Sequence, residues 1–356
     1  MELKPLEVSL SLTPRARVDV INVSAQLEAA SPGFKNRFQR TLYCSFHTTA
    51  GYLEQTLCSR LRYDESSLHE YVRSFQRLFP PDAGYRHDDL HLRTELTEEQ
   101  RRLEPRNGDS HLTYIGSGLR SCVAYVNRPD TAAYFIDLDG MNGAASRSRL
   151  TSVIGYDHEQ VVDRMRLSVP LSAHPVDSVN IRDPRLGLLE ELTAAITRHD
   201  ISKGRIELAL APSERNAGLT VNEYETLLMK HDLHEVLRNP LRFMAEKGRN
   251  MVTDPKAIPH KTLNYAKYDF VQVVNKILDT LGASNSPIER IVDKLMAVPA
   301  ARFLRMKRSV SLLVTDREIH GRGRIVQGTY QSPILVQWDR AASGHRVLDV
   351  TVSRFH

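Results

Sequence analysis

The chain has 356 residues, 41% of them apolar and 26% charged, which is the balance of a folded protein of about two domains and excludes a disordered or fibrous chain. No apolar run approaches the roughly 18–20 residues that cross a bilayer, and MELKPLEVSLSL lacks the regions of a secretory leader, so no membrane association and a cytoplasmic location are expected. Cys44, Cys58 and Cys122 show no CxxC spacing and fit a reducing compartment, while the net charge of +5 is too scattered for a nucleic-acid face and suits small phosphorylated molecules.

In chain order, VDVINVSAQLEAAS (18–31) carries a weak helical face, and QRTLYCS (39–45) alternates as a strand that runs into His47, Thr48, Thr49, Ala50 and Gly51. SSLHEYVRSFQRLFPP (66–81) places Leu68, Tyr71, Val72, Phe75 and Leu78 at helical spacing. Ser67 and Glu70 fit a capping box there, and Pro80-Pro81 is the stop. LRSCVAYVN, AAYFIDLDG and SRLTSVIGY read as strands. After a proline-rich break at 169–184, LGLLEELTAAITRHDI aligns Leu188, Leu189, Leu192, Ala195 and Ile196 on one helical face. GRIELAL, RSVSLLVTD, GRIVQGTYQSPILVQWD and HRVLDVTVSRF supply further strands, the last setting Leu348, Val350 and Val352 against Asp349 and Thr351.

The two halves are alike. QRTLYCSFHTTAGYLEQ and GRIELALAPSERNAGLTVNE are each a strand, a polar bend and Ala-Gly, with the Ala-Gly pairs 217 − 50 = 167 positions apart. The expected architecture is α+β: two similar domains, 1–173 and 174–356, each an antiparallel sheet sandwich backed by helices. One continuous sheet built by both halves is the rival.

Three histidines stand in polar segments of the first half: His47 in FHTTAG, His87 in GYRHDD and His111 in NGDSHLT, all read here as bends. Three imidazoles with an open fourth position are a way to hold a catalytic zinc, and neutral imidazole also serves other divalent metals. Cap or surface histidines are the alternative, since spacing alone does not make the three converge.

HTTAG, GYRHDD and DSHLTYIGSG, with AGLTVNE and GRIVQGTYQ in the second half, resemble successive motifs of the YjbQ-like family, described as secondary thiamine-phosphate synthases. The resemblance covers nearly the whole chain, twice, and each copy is incomplete. The first copy keeps the histidines, Tyr85, Asp88, Ser110 and Arg149. It has YLEQ where the family has Asn-Glu, with Glu54 or Gln55 as substitutes, and RPDT where the family has its GTWQ motif. The second copy keeps Asn222, Glu223, Gly328, Thr329, Tyr330, Gln331 and Arg346, but has Glu214 in place of the first histidine and only His260 to offer for the middle one.

The resemblance implies a transferase joining a pyrimidine diphosphate to a thiazole phosphate, in a trimer-based homo-oligomer. His47, His87 and His111 would bind a divalent metal, zinc foremost, to act as a Lewis acid. Thr48, Thr49, Ser117 and Arg149 would hold phosphate. Glu54, Ser110, Glu223 and Gln331 are the catalytic candidates, the last two completing the site from the second half. A metal-assisted hydrolase of a small phosphate or ester, and a non-catalytic binding or oligomer-building protein with a purely structural second half, are the competing readings.

Overall fold

The computed structural model describes residues 4–238, 243, 304–319 and 321–356; His260 lies outside them. The chain opens with β1 (Leu6–Leu12), β2 (Asp19–Asn22), helices α1 (Val23–Ala30) and α2 (Phe34–Arg37), β3 (Arg40–Ser45) and β4 (Ala50–Gly51). Helices α3 (Gln55–Arg60), α4 (Glu65–Gln76), α5 (Glu98–Leu103) and α6 (Gly108–Ser117) come next. The first half closes with β5 (Cys122–Val126), β6 (Tyr134–Asp137), β7 (Met141–Asn142), β8 (Ala145–Ser146) and β9 (Arg149–Tyr156).

The second half begins at β10 (Glu159–Pro170) and β11 (Asp177–Asn180), then α7 (Leu188–Arg198), β12 (Gly204–Leu210) and β13 (Ala217–Glu223). A π-helical turn (Leu228–Asp232) leads into α8 (Leu233–Arg238), and β14 (Ser309–Thr315), β15 (Arg324–Val326), β16 (Gln331–Gln337) and β17 (His345–Phe355) finish the chain.

Contacts divide these residues into two compact units. The first comprises Met1–His69, Gly118–Tyr224 and Met306–His356, and the second Glu70–Ser117 and Glu225–Arg305. The units therefore do not follow the two sequence halves, and position 173 falls inside the first unit, in the link between β10 and β11.

Among the described residues every strand belongs to the first unit, in separate antiparallel sheets rather than one continuous sheet. One sheet has the order β1-β9-β3-β5 and another β10-β17-β12-β14-β15; smaller sheets run β2-β6-β4 and β11-β16-β13. The alternation in HRVLDVTVSRF is realised as expected: Leu348, Val350 and Val352 are buried in a core with Leu192, Ala195 and Ile196 of α7 and Leu219 and Leu335 of the smaller second-half sheet. A second core joins the halves. Leu42, Cys44, Cys122, Ile154 and Tyr156 of the first half pack with Leu313 and Phe355 of the second. Tyr156 stacks on Phe355 with ring centroids 4.0 Å apart.

The regular structure among the described residues of the second unit is helical. In α6 all ten residues are buried, and Tyr71 Oη donates to the Ser117 carbonyl at 2.6 Å. Two local expectations need correction. The helix that carries Leu68 and Val72 starts one turn early, because the Asp64 carboxylate accepts from the Ser67 amide and hydroxyl, both at 2.8 Å, and so takes the capping role assigned to Ser67. His111 is not in a bend but on α6, whose first amide, Gly108 N–H, donates to Asp88 Oδ1 at 2.9 Å. That partner lies twenty residues upstream, so local sequence does not announce the helix start.

Candidate functional site

In the first unit, β3 carries the chain into the segment 45–51 and β9 opens at Arg149 beside it. The Leu150 N–H donates to His47 Nε2 at 2.9 Å. The neutral ring then carries its proton on Nδ1, which lies 3.5 Å from Arg149 Nη1. Burial first, then the charges of Arg149 and Arg147, push the His47 pKa down to about 3, so the ring is neutral. Arg149 itself is buried and bidentate on Asp137, with Nε to Oδ2 at 2.6 Å and Nη2 to Oδ1 at 3.0 Å. Its Nη2 also donates to the Asp139 carbonyl, and Arg147 pairs with the Asp139 carboxylate.

The second half grips this segment from behind. Gln331 Nε2 donates to the carbonyls of Ser45 at 3.1 Å and His47 at 2.9 Å, while its Oε1 accepts from Gly328 N–H at 3.0 Å. Asn222 Nδ2 donates to the Thr48 carbonyl at 3.1 Å. Gly328 sits so close that a Cβ there would lie 1.8 Å from the Phe46 carbonyl oxygen. Gln331 and Asn222 thus bind backbone oxygens of the histidine segment. Glu223 ends β13, opposite Gln331 in the ladder.

In the second unit, His87 and His111 are fully buried with their rings edge to face, centroids 4.9 Å apart. Each offers a ring nitrogen within 4.8 Å of the other's. His87 Nδ1 meets Glu225 Oε2 at 3.0 Å, and Glu225 in turn accepts from the amides of Leu227 at 2.7 Å and Leu228 at 2.8 Å. Burial alone would raise the Glu225 carboxyl, but the bonds from His87 and the two amides outweigh it and hold it below its ordinary range. A carboxylate so fixed takes the Nδ1–H and leaves the lone pair on Nε2, the carboxylate–histidine arrangement that prepares an imidazole to ligate metal. Asn107 Oδ1 is placed 3.1 Å from that Nε2; an amide oxygen only accepts, so a lone pair there requires the amide to turn its NH2 to the ring. Asp232 fixes the backbone, accepting from the amides of Arg86 at 3.0 Å and His87 at 2.9 Å. Burial lifts Asp88 to about 6.

The sequence-derived candidates therefore fall into two sets. His47, Thr48, Thr49, Glu54, Arg149, Glu223 and Gln331 belong to the first unit, and His87, Ser110, His111 and Ser117 to the second. Within the second unit the structure brings His87 and His111 together, whereas both ring nitrogens of His47 face groups of its own unit. Thr49 is buried with its carbonyl taken by Leu138 N–H, and Glu54 is an exposed residue ion-paired to Arg120 at 2.5 Å. Ser110 and Ser117 are buried on α6. Asp137, Asp139, Arg147, Asn107, Glu225 and Asp232 are further residues bonded to these candidates or to their partners, and nothing in the sequence singles them out. The only local signal for Glu225 is its place two residues beyond AGLTVNE.

No protein-family model matches the chain, and no curated protein does. Among solved structures, a YbjQ-like protein of unknown function from Sulfolobus solfataricus P2 is 17% identical over 55% of this chain and 99% of its own, with TM-score 0.28. A protein of the yjbq/upf0047 family from Clostridium acetobutylicum is 13% identical over 53% of this chain and 98% of its own, with TM-score 0.25. The structural relatives are YjbQ-like proteins. A hypothetical protein from Aeropyrum pernix K1 is 15% identical over 54% of this chain and 98% of its own, with TM-score 0.28. Each YjbQ-like match thus takes in nearly all of the relative and about half of this chain. No helix among the described residues is long and apolar enough to cross a membrane.

Proposed function

We propose that this chain is a tandem YjbQ-like protein that binds a divalent metal through His87 and His111 and acts on a small phosphorylated substrate, a thiamine-phosphate-synthase-like transfer being the reaction its motifs imply. The observation that carries the metal reading is the buried His87–His111 pair with Glu225 anchoring His87 Nδ1. A pair of imidazoles suits zinc and related ions, which would supply Lewis acidity to a departing phosphate. His47 is left out of the ligand set because its Nε2 already takes a backbone amide. Two parallels support the tandem reading. The sheet orders β1-β9-β3-β5 and β10-β17-β12-β14 match strand for strand, and Ala50 pairs with Asp137 as Ala217 pairs with Gln337.

Metal analysis of the full chain purified without added metal tests the site. About one equivalent of metal per chain is expected, lost in His87→Ala and in His111→Ala and kept in His47→Ala. No metal in the parent chain, or metal retained by both His87→Ala and His111→Ala, would falsify the reading.

A further inference from the structure

Arg120 and Lys307 hold corresponding places in the two halves. Arg120 forms an antiparallel bridge with Tyr52, two residues past Ala50, with both N–H to carbonyl bonds at 2.8 Å. Lys307 bridges Leu219, two residues past Ala217, and its carbonyl accepts from the Leu219 N–H at 2.8 Å. Each copy of this position therefore carries a cation, and within the first unit the Arg120 side chain crosses to the other copy. Its Nη1 donates to the Ser309 carbonyl at 2.5 Å, two residues beyond Lys307.

Arg120 Nη2 pairs with Glu54 Oε1 at 2.5 Å, but that carboxylate is exposed and its attraction is weakened by solvent. Arg120 Nε is different: it is buried and has no hydrogen-bond partner among the described residues. Lys307 is only 6% exposed. An ammonium at that depth beside a guanidinium carries both a desolvation penalty and like-charge repulsion, and of the two groups only the lysine can shed its proton. Burial first, and then the Arg120 charge, hold the Lys307 amine well below the ordinary lysine range, with Glu54 pulling the other way. An uncharged lysine next to another cation is a nucleophile, and the spare Arg120 donor lacks an oxygen.

We propose that Lys307 is a carbon dioxide site, where its amine takes up CO2 as a carbamate whose carboxylate pairs with Arg120. The nitrogen lone pair attacks the carbon and an N–C bond forms. One C=O bond opens to an oxyanion, and the nitrogen releases one proton to solvent, so no further reactant is needed. The step turns two like charges into an ion pair and supplies an acceptor to a buried donor that has none. A linear triatomic molecule also suits an amine this enclosed better than a bulkier electrophile. The inference depends on neither the metal nor the phosphorylated-substrate reading.

The test equilibrates the full chain with isotopically labelled bicarbonate near neutral pH, traps carbamates as ethyl esters with triethyloxonium, and maps them by peptide mass spectrometry. The ester is expected on Lys307 and not on the exposed Lys4 and Lys230, which serve as controls. Arg120→Gln, which removes the facing charge and the Nε donor, is expected to lower the trapped fraction at least tenfold. Bicarbonate is expected to raise the Tm of the parent but not that of Lys307→Met. Thermal unfolding without bicarbonate establishes that both variants are folded. No ester on Lys307 in the parent, or no more than on Lys4, overturns the site whatever the variants do. A trapped fraction within twofold of the parent in folded Arg120→Gln overturns the pairing with Arg120. Should that variant not fold, an equal Tm response in the parent and Lys307→Met overturns the proposal instead.

Discussion

Gly328→Ala puts the grip of one half on the other to a quantitative test. The new Cβ would stand 1.8 Å from the Phe46 carbonyl oxygen and 2.8 Å from its carbon, backbone atoms with no rotamer to yield. Reaching even the 3.0 Å that real Cβ contacts respect requires 3.0 − 1.8 = 1.2 Å of separation. Added to the Gln331 bonds of 3.1 and 2.9 Å, that displacement takes both beyond hydrogen-bond range. Overpacking costs about 1–3 kcal/mol, and each lost hydrogen bond to a buried carbonyl about 1 kcal/mol more. With both bonds lost, a cost of about 3–5 kcal/mol corresponds to a fall in Tm of roughly 6–20 °C for a unit of this size. Differential scanning calorimetry reads the Tm, and amide exchange at Ser45 to Thr48 reads the loosened segment. A Tm within 2 °C of the parent, with exchange unchanged, refutes the reasoning.

Two further outcomes concern stability. Phe355→Ala removes the ring stacked on Tyr156 in the core shared by the halves and should cost about 3–5 kcal/mol in urea unfolding; a loss under 1 kcal/mol would show that this core is not the joint between them. Burial raises the Glu7 carboxyl, but hydrogen bonds from Ser152, Thr315 and Lys203 outweigh it, so its folded pKa lies below 4.5. The stabilisation is complete above about pH 4.5, where the unfolded chain ionises, and is lost as pH falls through the lower folded value. Glu7→Gln should therefore flatten the decline of Tm below pH 4.5, and an unchanged acid limb would count against the assignment.

Where burial follows a simple period, the fold could be read from the sequence. The α7 face buries Leu188, Leu192, Ala195 and Ile196 as its spacing predicts, with Leu189 only partly buried, and the β17 alternation buries Leu348, Val350 and Val352. The sequence reading makes no strand of β10, which is an edge strand bearing Glu159, Asp163, Arg164 and Arg166 and buries only two of its twelve residues, so apolar alternation is faint. It passes over β1 as well, although Leu6, Val8, Leu10 and Leu12 alternate. The site was legible as residue types but not as groupings. His87 and His111 differ from His47 through long-range partners, Glu225 for one and Leu150 for the other, and no spacing rule joins those positions.

The grip on segment 45–48 runs in one direction. Gln331 and Gly328 hold the first half, whereas Thr131 and Arg128, in the corresponding RPDT segment, bond to each other. The β10 strand, which precedes residue 173, spends its length paired with β17. Cut after residue 173, the first piece would take an edge strand that belongs to the other's sheet and would leave the carbonyls of Ser45 and His47 without their donors. A division at residue 173 would therefore separate a strand from the sheet it pairs in and a histidine segment from the side chain that holds its carbonyls.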